Sequence, residues 1–249
     1  MKIASGFDML PPLCNAVVTV GSFDGVHCGH RMLLDRVRRK AQECGGESVV
    51  VTFEPHPRIT LHKAEGLRLL TTLDEKAMLL DRCGIDCLVV VPFDEAFSRL
   101  SREEFLGDYI IGRLHAQTLV VGYNHRFGRN NEGDYSFLAT AAGIEVVEVK
   151  QHLADGDKVS STVVREAVGR GAMDEAVRLL GHPYPIIGKA DAAGVSVSDE
   201  YKLLPPDGEY LAAVNGEKRI IRIVGNRLLV GEGAMPAQTI VEIYDNARG

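Results

Sequence analysis

The sequence predicts an α/β fold in which helices cover both faces of a parallel β-sheet, followed by a small antiparallel β domain. Two observations lead to this prediction. Up to about residue 181, short apolar runs alternate with helical stretches, which is typical of a buried parallel sheet with crossover helices. From Tyr184 onward no helical pattern recurs, and turn dipeptides separate short β-like runs.

The buried strands are predicted from apolar runs that are too short for helices and are bounded by glycine or polar residues. Unbroken apolar character indicates burial on both faces of the sheet. The predicted strands are residues 16–20, 48–53, 87–91, 118–122 and 145–149.

The helices are predicted from apolar residues that recur every three or four positions. In the first helix, Leu34, Val37 and Ala41 share one face, and Gly45 follows its end. The predicted helices are residues 31–44, 73–83, 102–113, 135–142, 161–167 and 173–180.

The β domain is predicted from four runs at 210–214, 219–224, 227–230 and 239–244. The dipeptides Asn215-Gly216 and Gly225-Asn226 predict hairpin turns between them, because both residue types tolerate positive φ. We predict that the chain divides into residues 1–186, the larger α/β domain, and residues 187–249, the small β domain.

Composition excludes several classes of protein. Of 249 residues, 45% are apolar and 25% are charged, which is the balance of a globular protein with a real core. The net charge of −6 without basic blocks argues against a nucleic-acid partner. No run is long enough for a membrane span, and no signal peptide is evident, so we predict a cytoplasmic protein without a membrane partner. The five irregularly spaced cysteines predict free thiols, most of them buried.

The most informative segment is residues 21–30, Gly-Ser-Phe-Asp-Gly-Val-His-Cys-Gly-His, between the first strand and the first helix. Ligands of open α/β sheets bind at this position, where the helix start offers unpaired N–H groups to a phosphate. His27 and His30 are close enough in sequence to reach the same anion. Two other interpretations are a pair of capping histidines and half of a metal site. No HExxH pattern or cysteine pair accompanies them, so no residue is predicted as a metal ligand.

A second polar segment, residues 158–165, opens a later helix. Its Ser160, Ser161 and Thr162 form a good helix N-cap, which is the simplest interpretation. The same hydroxyls, with Lys158 and Arg165, also suit phosphate oxygens. Capping and phosphate binding are compatible.

In this order the two segments resemble the HxGH nucleotidyltransferases. Three further matches narrow the resemblance to the bacterial FAD synthetases, which join an FMN adenylyltransferase domain to a riboflavin kinase domain. These matches are Phe-Glu-Pro-His-Pro at 53–57, Val-Gly-Tyr-Asn-His-Arg-Phe-Gly at 121–128, and Leu-Leu-Gly-His-Pro-Tyr at 179–184. The resemblance covers about residues 15–188.

The resemblance implies a Rossmann-like nucleotidyltransferase domain that transfers the adenylyl group of ATP to FMN, giving FAD and pyrophosphate with Mg²⁺. It implies that His27 and His30 are the catalytic residues. The implied ATP-binding residues are Gly21, Phe23, Asp24, Gly29, Ser160, Ser161, Thr162 and Arg165, and the implied FMN-binding residues are His56, Asn124, Phe127 and Lys158.

The chain departs from the family at several positions. His125 stands where the family usually has an aromatic residue, and Lys158 where it often has arginine. With only 6% aromatic residues, the candidates to cover the flavin ring are Phe53 and Phe127. Residues 195–204 lack the Pro-Thr-Ala-Asn motif of the kinase half, so we predict that riboflavin kinase activity is absent.

The sequence leaves two alternative functions open. A nucleotidyltransferase could act on another phosphorylated acceptor, or a non-catalytic regulator could bind flavin or nucleotide. Retention of both histidines and of the complete Ser160 to Arg165 run favours an enzyme. The sequence does not predict an oligomeric state.

Overall fold

The computed structural model describes residues 1–10, 12–63, 65–140, 143–150, 153–154, 157–231 and 235–247. They form two compact units, each described here by itself. The first contains Met1–Phe23, Gly29–Gly66 and Leu79–His152, and the second Asp24–Cys28, Leu67–Met78 and Leu153–Gly249. These units combine distant pieces of chain. The predicted division at residue 186, which concerns consecutive segments, stays a prediction.

The first unit contains a sheet of six parallel strands in the order β1-β4-β3-β2-β5-β6. The five predicted strands are all present, and a sixth was missed at the amino terminus. The four residues of that strand form no apolar run, and only Ala4 among them is buried. The strands are β1 Lys2–Ser5, β2 Val17–Val20, β3 Ser48–Glu54, β4 Cys87–Pro92, β5 Thr118–Gly122 and β6 Glu145–Val149.

Alternate residues of the central strands are buried on opposite faces, as the pleat requires. Val17 of β2 belongs to a cluster with Val37 and Ala41, which lie on the helix that follows that strand. Val18 belongs to a second cluster with Ile110 from a later helix. Both faces of the sheet are therefore covered, which explains why its strands are uniformly apolar.

The helices follow the predicted order and differ from the prediction in extent. The first begins three residues earlier than predicted, and the helix predicted at 135–142 covers Tyr135–Leu138. The α-helices are α1 Cys28–Glu43, α2 Pro57–Thr60, α3 Leu73–Arg82, α4 Glu95–Ser98, α5 Arg102–Glu104, α6 Tyr135–Leu138, α7 Ser161–Gly169 and α8 Met173–Leu180, and a 3₁₀ turn covers Arg129–Asn131.

The predicted helix at 102–113 is α-helical only in its first turn, which is α5. From Phe105 to Arg113 it continues as a π-helix. Phe105, Leu106 and Ile110 are buried there, and the Leu114 N–H bonds the carbonyl of Tyr109, five positions back. A hydrogen bond to the fifth preceding residue differs from the α-helical bond to the fourth on which the prediction relied.

The second unit contains a closed antiparallel barrel in the order β10-β13-β12-β11-β14-β9. The four predicted runs are strands, and two further strands complete the closure. They were missed because Pro185 and Gly188 interrupt the first and the second has three residues. The strands are β9 Tyr184–Asp191, β10 Gly194–Ser196, β11 Gly208–Val214, β12 Glu217–Val224, β13 Arg227–Leu229 and β14 Gln238–Asn246. A short pair, β7 Leu153–Ala154 and β8 Asp157–Lys158, stands apart.

Both predicted hairpin turns are confirmed. Asn215 and Gly216 have φ values of 49° and 90° and join β11 to β12. Gly225, with φ of 60°, joins β12 to β13. Positive φ at these positions is the reason that glycine and asparagine occur there.

Helices α7 and α8 contribute their apolar faces to the same core as the barrel. Val164 and Leu180 are fully buried in one cluster with Tyr184, Ile221 and Val241. The barrel interior is therefore continuous with the helical layer of this unit.

A buried ion pair within the second unit was not predicted. The side chains of Lys202 and Glu75 have no exposed surface, and Lys202 Nζ lies 2.6 Å from Glu75 Oε2. The same ammonium donates to the Leu70 and Pro185 carbonyls, both at 2.7 Å. Burial lowers the pKa of Lys202, and the Glu75 carboxylate opposes this change. Three acceptors around Nζ match the three protons of the ammonium form.

All five cysteines are free thiols. The expectation that most are buried is wrong, because only Cys87 is buried, and Cys14 and Cys44 are exposed. No helix in the described part of the chain has the length and apolar character that crossing a membrane requires.

Candidate functional site

The loop at residues 21–30 follows β2 and leads into α1, as predicted. Its backbone is tightly constrained. Phe23 and Val26 have positive φ values of 47° and 41°, which non-glycine residues rarely adopt. Gly25 has φ of 82°, and a Cβ there would lie 2.6 Å from the Leu70 side chain. Only glycine therefore fits at position 25.

Asp24 is the centre of a hydrogen-bond network in the second unit. Its carboxylate accepts from Arg165 Nη2 at 2.9 Å and from the Thr71 backbone N–H at 3.0 Å. Its carbonyl accepts from the Ser161 hydroxyl at 2.9 Å. Three of the predicted ATP-binding residues are thus brought together. Asp24 is only 2% exposed, and both carboxylate oxygens have donors, so the geometry supports a positioning role for it.

Arg165 retains a donor that no other described residue engages. Its Nη2 pairs with Asp24, whereas its Nε is buried and meets no hydrogen-bond acceptor in the described part of the chain. A buried N–H without an acceptor costs about 1–3 kcal/mol. An anionic ligand is a chemically suitable partner for this guanidinium.

The start of α7 combines a helix N-cap with one exposed hydroxyl. The Ser160 hydroxyl accepts from the Val163 N–H at 3.4 Å, so the predicted N-cap is present. Ser161 bonds Asp24, as described above, and Thr162 is exposed. The helix start therefore offers N–H groups and one exposed hydroxyl for phosphate oxygens.

His27 and His30 have different surroundings. His27 is 6% exposed, and burial lowers its pKa to about 4. The negative charge of Asp24 raises the pKa but does not offset the effect of burial. The His27 imidazole is therefore neutral near pH 7. His30 is half-buried in the first turn of α1, and its ring packs on Phe23 with centroids 5.2 Å apart. Gly29 lies between them in the same turn.

We expect the free energy of unfolding to fall as pH is lowered from about 6.5 to about 4. The unfolded chain binds a proton at His27 near its ordinary pKa of 6.5, whereas the folded chain does so only near 4. Protons therefore favour unfolding, by up to about 3 kcal/mol for this histidine. Urea denaturation across this pH range measures the slope.

The His27→Asn variant should lose part of that slope, and His115→Asn, which removes an exposed histidine, should retain it. An unchanged pH slope in His27→Asn would contradict the prediction.

Two residues of this network were not predicted to have a role. The Thr71 hydroxyl accepts from the Gly25 N–H at 3.1 Å. The His182 ring lies between two carbonyls, with Nε2 3.1 Å from Gly25 O and Nδ1 2.8 Å from Pro183 O. Both residues therefore hold the loop through Gly25. His182 occurs in a segment already matched to the family, which was an available signal, whereas nothing local distinguishes Thr71.

A cavity of about 610 Å³ lies within the first unit, at the carboxyl ends of β2, β3 and β5. Strand β2 has β3 on one side and β5 on the other, so this is where the strand order reverses. Ligands of open α/β sheets bind at such a point. The volume is within the range of small-molecule sites.

Aromatic rings make up a third of the residues that line the cavity. Five of the eight phenylalanines of the chain contribute, which is more than the two that the sequence suggested. The aromatic lining residues are Phe53, Phe93, Phe97, Phe105, Phe127, His56 and His125. Basic side chains lie among the other lining residues, and they are Lys63, Arg99, Arg126 and Arg129.

Of the residues predicted to bind FMN, His56 and Phe127 line this cavity. The His56 Nδ1 accepts from the Arg58 N–H at 3.2 Å, so the neutral ring carries its proton on Nε2. Asn124 is exposed in the turn after β5 and is not among the lining residues. The side chain of Lys158 lies outside the described residues. Gly21, predicted to bind ATP, also lines the cavity.

No group of three or more histidine, cysteine, aspartate or glutamate side chains with the spacing of a metal site occurs among the described residues.

Comparisons with known proteins identify relatives of this chain. The family model for FAD synthetase matches residues 11–163. The bifunctional riboflavin kinase/FMN adenylyltransferase of Listeria monocytogenes is 34% identical over 223 residues, covering 83% of this chain and 70% of the relative. The enzyme of the same name from Escherichia coli strain K12 is 34% identical, covering 76% of this chain and 62% of the relative.

The match therefore spans less than two thirds of the length of the Escherichia coli relative. Among solved structures, one described as a macrolide-efflux protein from Streptococcus pneumoniae is similar with a TM-score of 0.82. It covers 99% of this chain and 90% of that chain at 24% identity, which shows the fold alone.

A parallel α/β sheet, a glycine- and histidine-rich loop after its central strand and a separate antiparallel barrel define a nucleotidyltransferase-type protein. The family match and the two relatives identify the family within this class. The chain belongs to the FAD synthetase family.

Proposed function

We propose that this chain transfers the adenylyl group of ATP to FMN, giving FAD and pyrophosphate. The observation that carries the proposal is the aromatic cavity at the carboxyl ends of β2, β3 and β5. The planar, aromatic isoalloxazine ring suits such a lining, because aromatic rings favour stacking on it.

The reaction needs no protein nucleophile. A phosphate oxygen of FMN attacks the α-phosphorus of ATP in line, forming a new P–O bond. The bond from the α-phosphorus to the bridging oxygen breaks, and pyrophosphate leaves with that electron pair. Catalysis then depends on positioning and on stabilising the charge that develops on the leaving group.

The residues predicted from the sequence suit these two tasks. In the proposal, Arg165 and the start of α7, with Ser161 and Thr162, hold phosphate oxygens. His27 and His30 stabilise the pyrophosphate. A neutral His27 donates one hydrogen bond, and the negative charge of a bound polyphosphate would raise its pKa.

Mg²⁺ enters the proposal as part of the ATP substrate. ATP normally reacts as its magnesium complex, in which phosphate oxygens coordinate the ion and the ion neutralises developing charge. The Asp24 carboxylate is the acidic group of the described network, and its two oxygens already accept from Arg165 and Thr71.

We further propose that riboflavin kinase activity is absent, although the named relatives are bifunctional. In the kinase half of the family, the Thr and Asn of a Pro-Thr-Ala-Asn motif hold magnesium and ATP phosphates. Here residues 195–204 contain no such motif. Instead this segment supplies Lys202, whose ammonium is fully engaged in the buried ion pair with Glu75.

Incubation with MgATP and either FMN or riboflavin tests both parts, with flavins separated by liquid chromatography. We expect FAD from FMN and neither FMN nor FAD from riboflavin. FMN added later to the riboflavin reaction should yield FAD, which confirms active enzyme. We also propose a cytoplasmic location.

Formation of FMN from riboflavin would overturn the absence of kinase activity. Folded protein that binds ATP but forms no FAD from FMN would overturn the transferase proposal. A pyrophosphate assay with other phosphorylated acceptors would then separate a nucleotidyltransferase of different specificity from a non-catalytic regulator.

A further inference from the structure

His125 lies in the turn that follows β5, where its backbone N–H bonds the Gly122 carbonyl at 3.0 Å. Its ring lines the aromatic cavity and stacks on Phe127, with centroids 5.6 Å apart and planes inclined by 23°. The stack fixes the plane of the imidazole, so its polar edge has a defined direction.

The ring nitrogens of His125 have no hydrogen-bond partner among the described residues. The other histidine of the cavity differs, because His56 accepts from Arg58. Burial lowers the pKa of His125 to about 4, and no charged neighbour offsets this effect. The basic groups that line the same cavity are His56, Lys63, Arg99, Arg126 and Arg129.

A neutral imidazole has one donor and one acceptor nitrogen. The His125 side chain is half-buried, and neither ring nitrogen is engaged by another described residue, so both are available to a ligand in the cavity. Phenylalanine would give the same stacking but no polar edge. The imidazole is therefore explained best by a ligand with polar atoms on the edge of its ring.

We propose that His125 determines specificity by hydrogen bonding a heteroatom on the edge of the flavin ring. The inference rests on the proposed function, because it takes the cavity to be the flavin site. His125 thereby requires a polar atom on the edge of the ligand. The aromatic residue that the resemblance implies at this position in other family members does not impose that requirement. An aromatic ring without a polar edge would leave His125 unsatisfied and bind less well.

The test is FMN binding in the absence of ATP, followed by flavin fluorescence. His125→Phe retains an aromatic ring and removes both nitrogens, whereas His125→Gln retains a donor and an acceptor without the ring. We expect His125→Phe to raise the Kd for FMN about tenfold and His125→Gln to recover part of that loss. His115→Phe, at an exposed position, should leave the Kd unchanged.

Two further readouts separate a polar contact from a structural effect. The absorption spectrum of bound FMN should shift between wild type and His125→Phe, because a hydrogen bond to the ring changes its electronic transitions. Thermal unfolding should show His125→Phe to be at least as stable as wild type. The KM for ATP should not change.

An unchanged or lower Kd in His125→Phe would overturn the proposal and leave stacking as the role of His125. If wild type binds FMN in a His125-dependent manner but forms no FAD, the proposed function fails and this inference stands. If wild type does not bind FMN, both fail.

Discussion

Replacement of His30 by alanine is expected to lower the kcat for FAD formation about a hundred- to a thousandfold, with the Kd for FMN changed by less than about twofold. His30 lies in the first turn of α1, and its ring packs on that of Phe23 with centroids 5.2 Å apart. In the proposed reaction it stabilises the additional negative charge that develops on the leaving pyrophosphate as the bond breaks. Its loss should therefore affect kcat far more than substrate affinity.

Single-turnover measurement of FAD formation gives the rate, and flavin fluorescence gives the FMN affinity. His115→Ala is the matched control, because it removes an exposed histidine of the same unit. If His30→Ala and wild type formed FAD at equal rates, His30 would have no part in the mechanism.

Replacement of Lys202 by methionine is expected to lower the free energy of unfolding by about 3–5 kcal/mol. The substitution preserves side-chain length but leaves the Glu75 carboxylate buried without its counter-ion. It also removes the donor to the Leu70 and Pro185 carbonyls. An uncompensated buried charge is among the largest costs that a single substitution can impose.

Urea denaturation measures this loss, and Lys189→Met is the control. Lys189 is an exposed lysine of β9 in the same barrel, so its replacement should change stability by less than about 0.5 kcal/mol. The double variant Lys202→Met with Glu75→Met should recover part of the loss, because both charges are then absent. A loss below about 1 kcal/mol in Lys202→Met would show that the pair is not stabilising.

The elements that sequence reasoning predicted best are those specified by local chemistry. Asn215-Gly216 forms its hairpin because both residues adopt positive φ, whatever surrounds them. The central strands are apolar along their whole length because both faces of the sheet are covered. Strands β1, β9 and β10 lack such a signal, since pairing with neighbours defines them rather than their own composition.

The candidate site also contains residues that local sequence identifies and residues whose role only tertiary contacts reveal. Residues 21–30 stand out because three glycines and two histidines within ten positions are unusual, and their place after a strand indicates a phosphate site. The roles of Thr71 and His182 depend on their contacts with Gly25 and Asp24, which residue type alone does not reveal. The aromatic lining was underestimated because its phenylalanines are dispersed from position 53 to 127.

The sequence by itself determined the α/β class, the position of the glycine- and histidine-rich loop, the family and the absence of the Pro-Thr-Ala-Asn motif. Only the tertiary structure decided that Asp24 holds Arg165 across 141 positions, that Lys202 neutralises Glu75 across 127, and that His125 lines an aromatic cavity. The physical reason is the range of the interactions. Backbone conformation and hydrophobic periodicity act over a few residues, whereas ion pairs and cavities form between segments that only folding brings together.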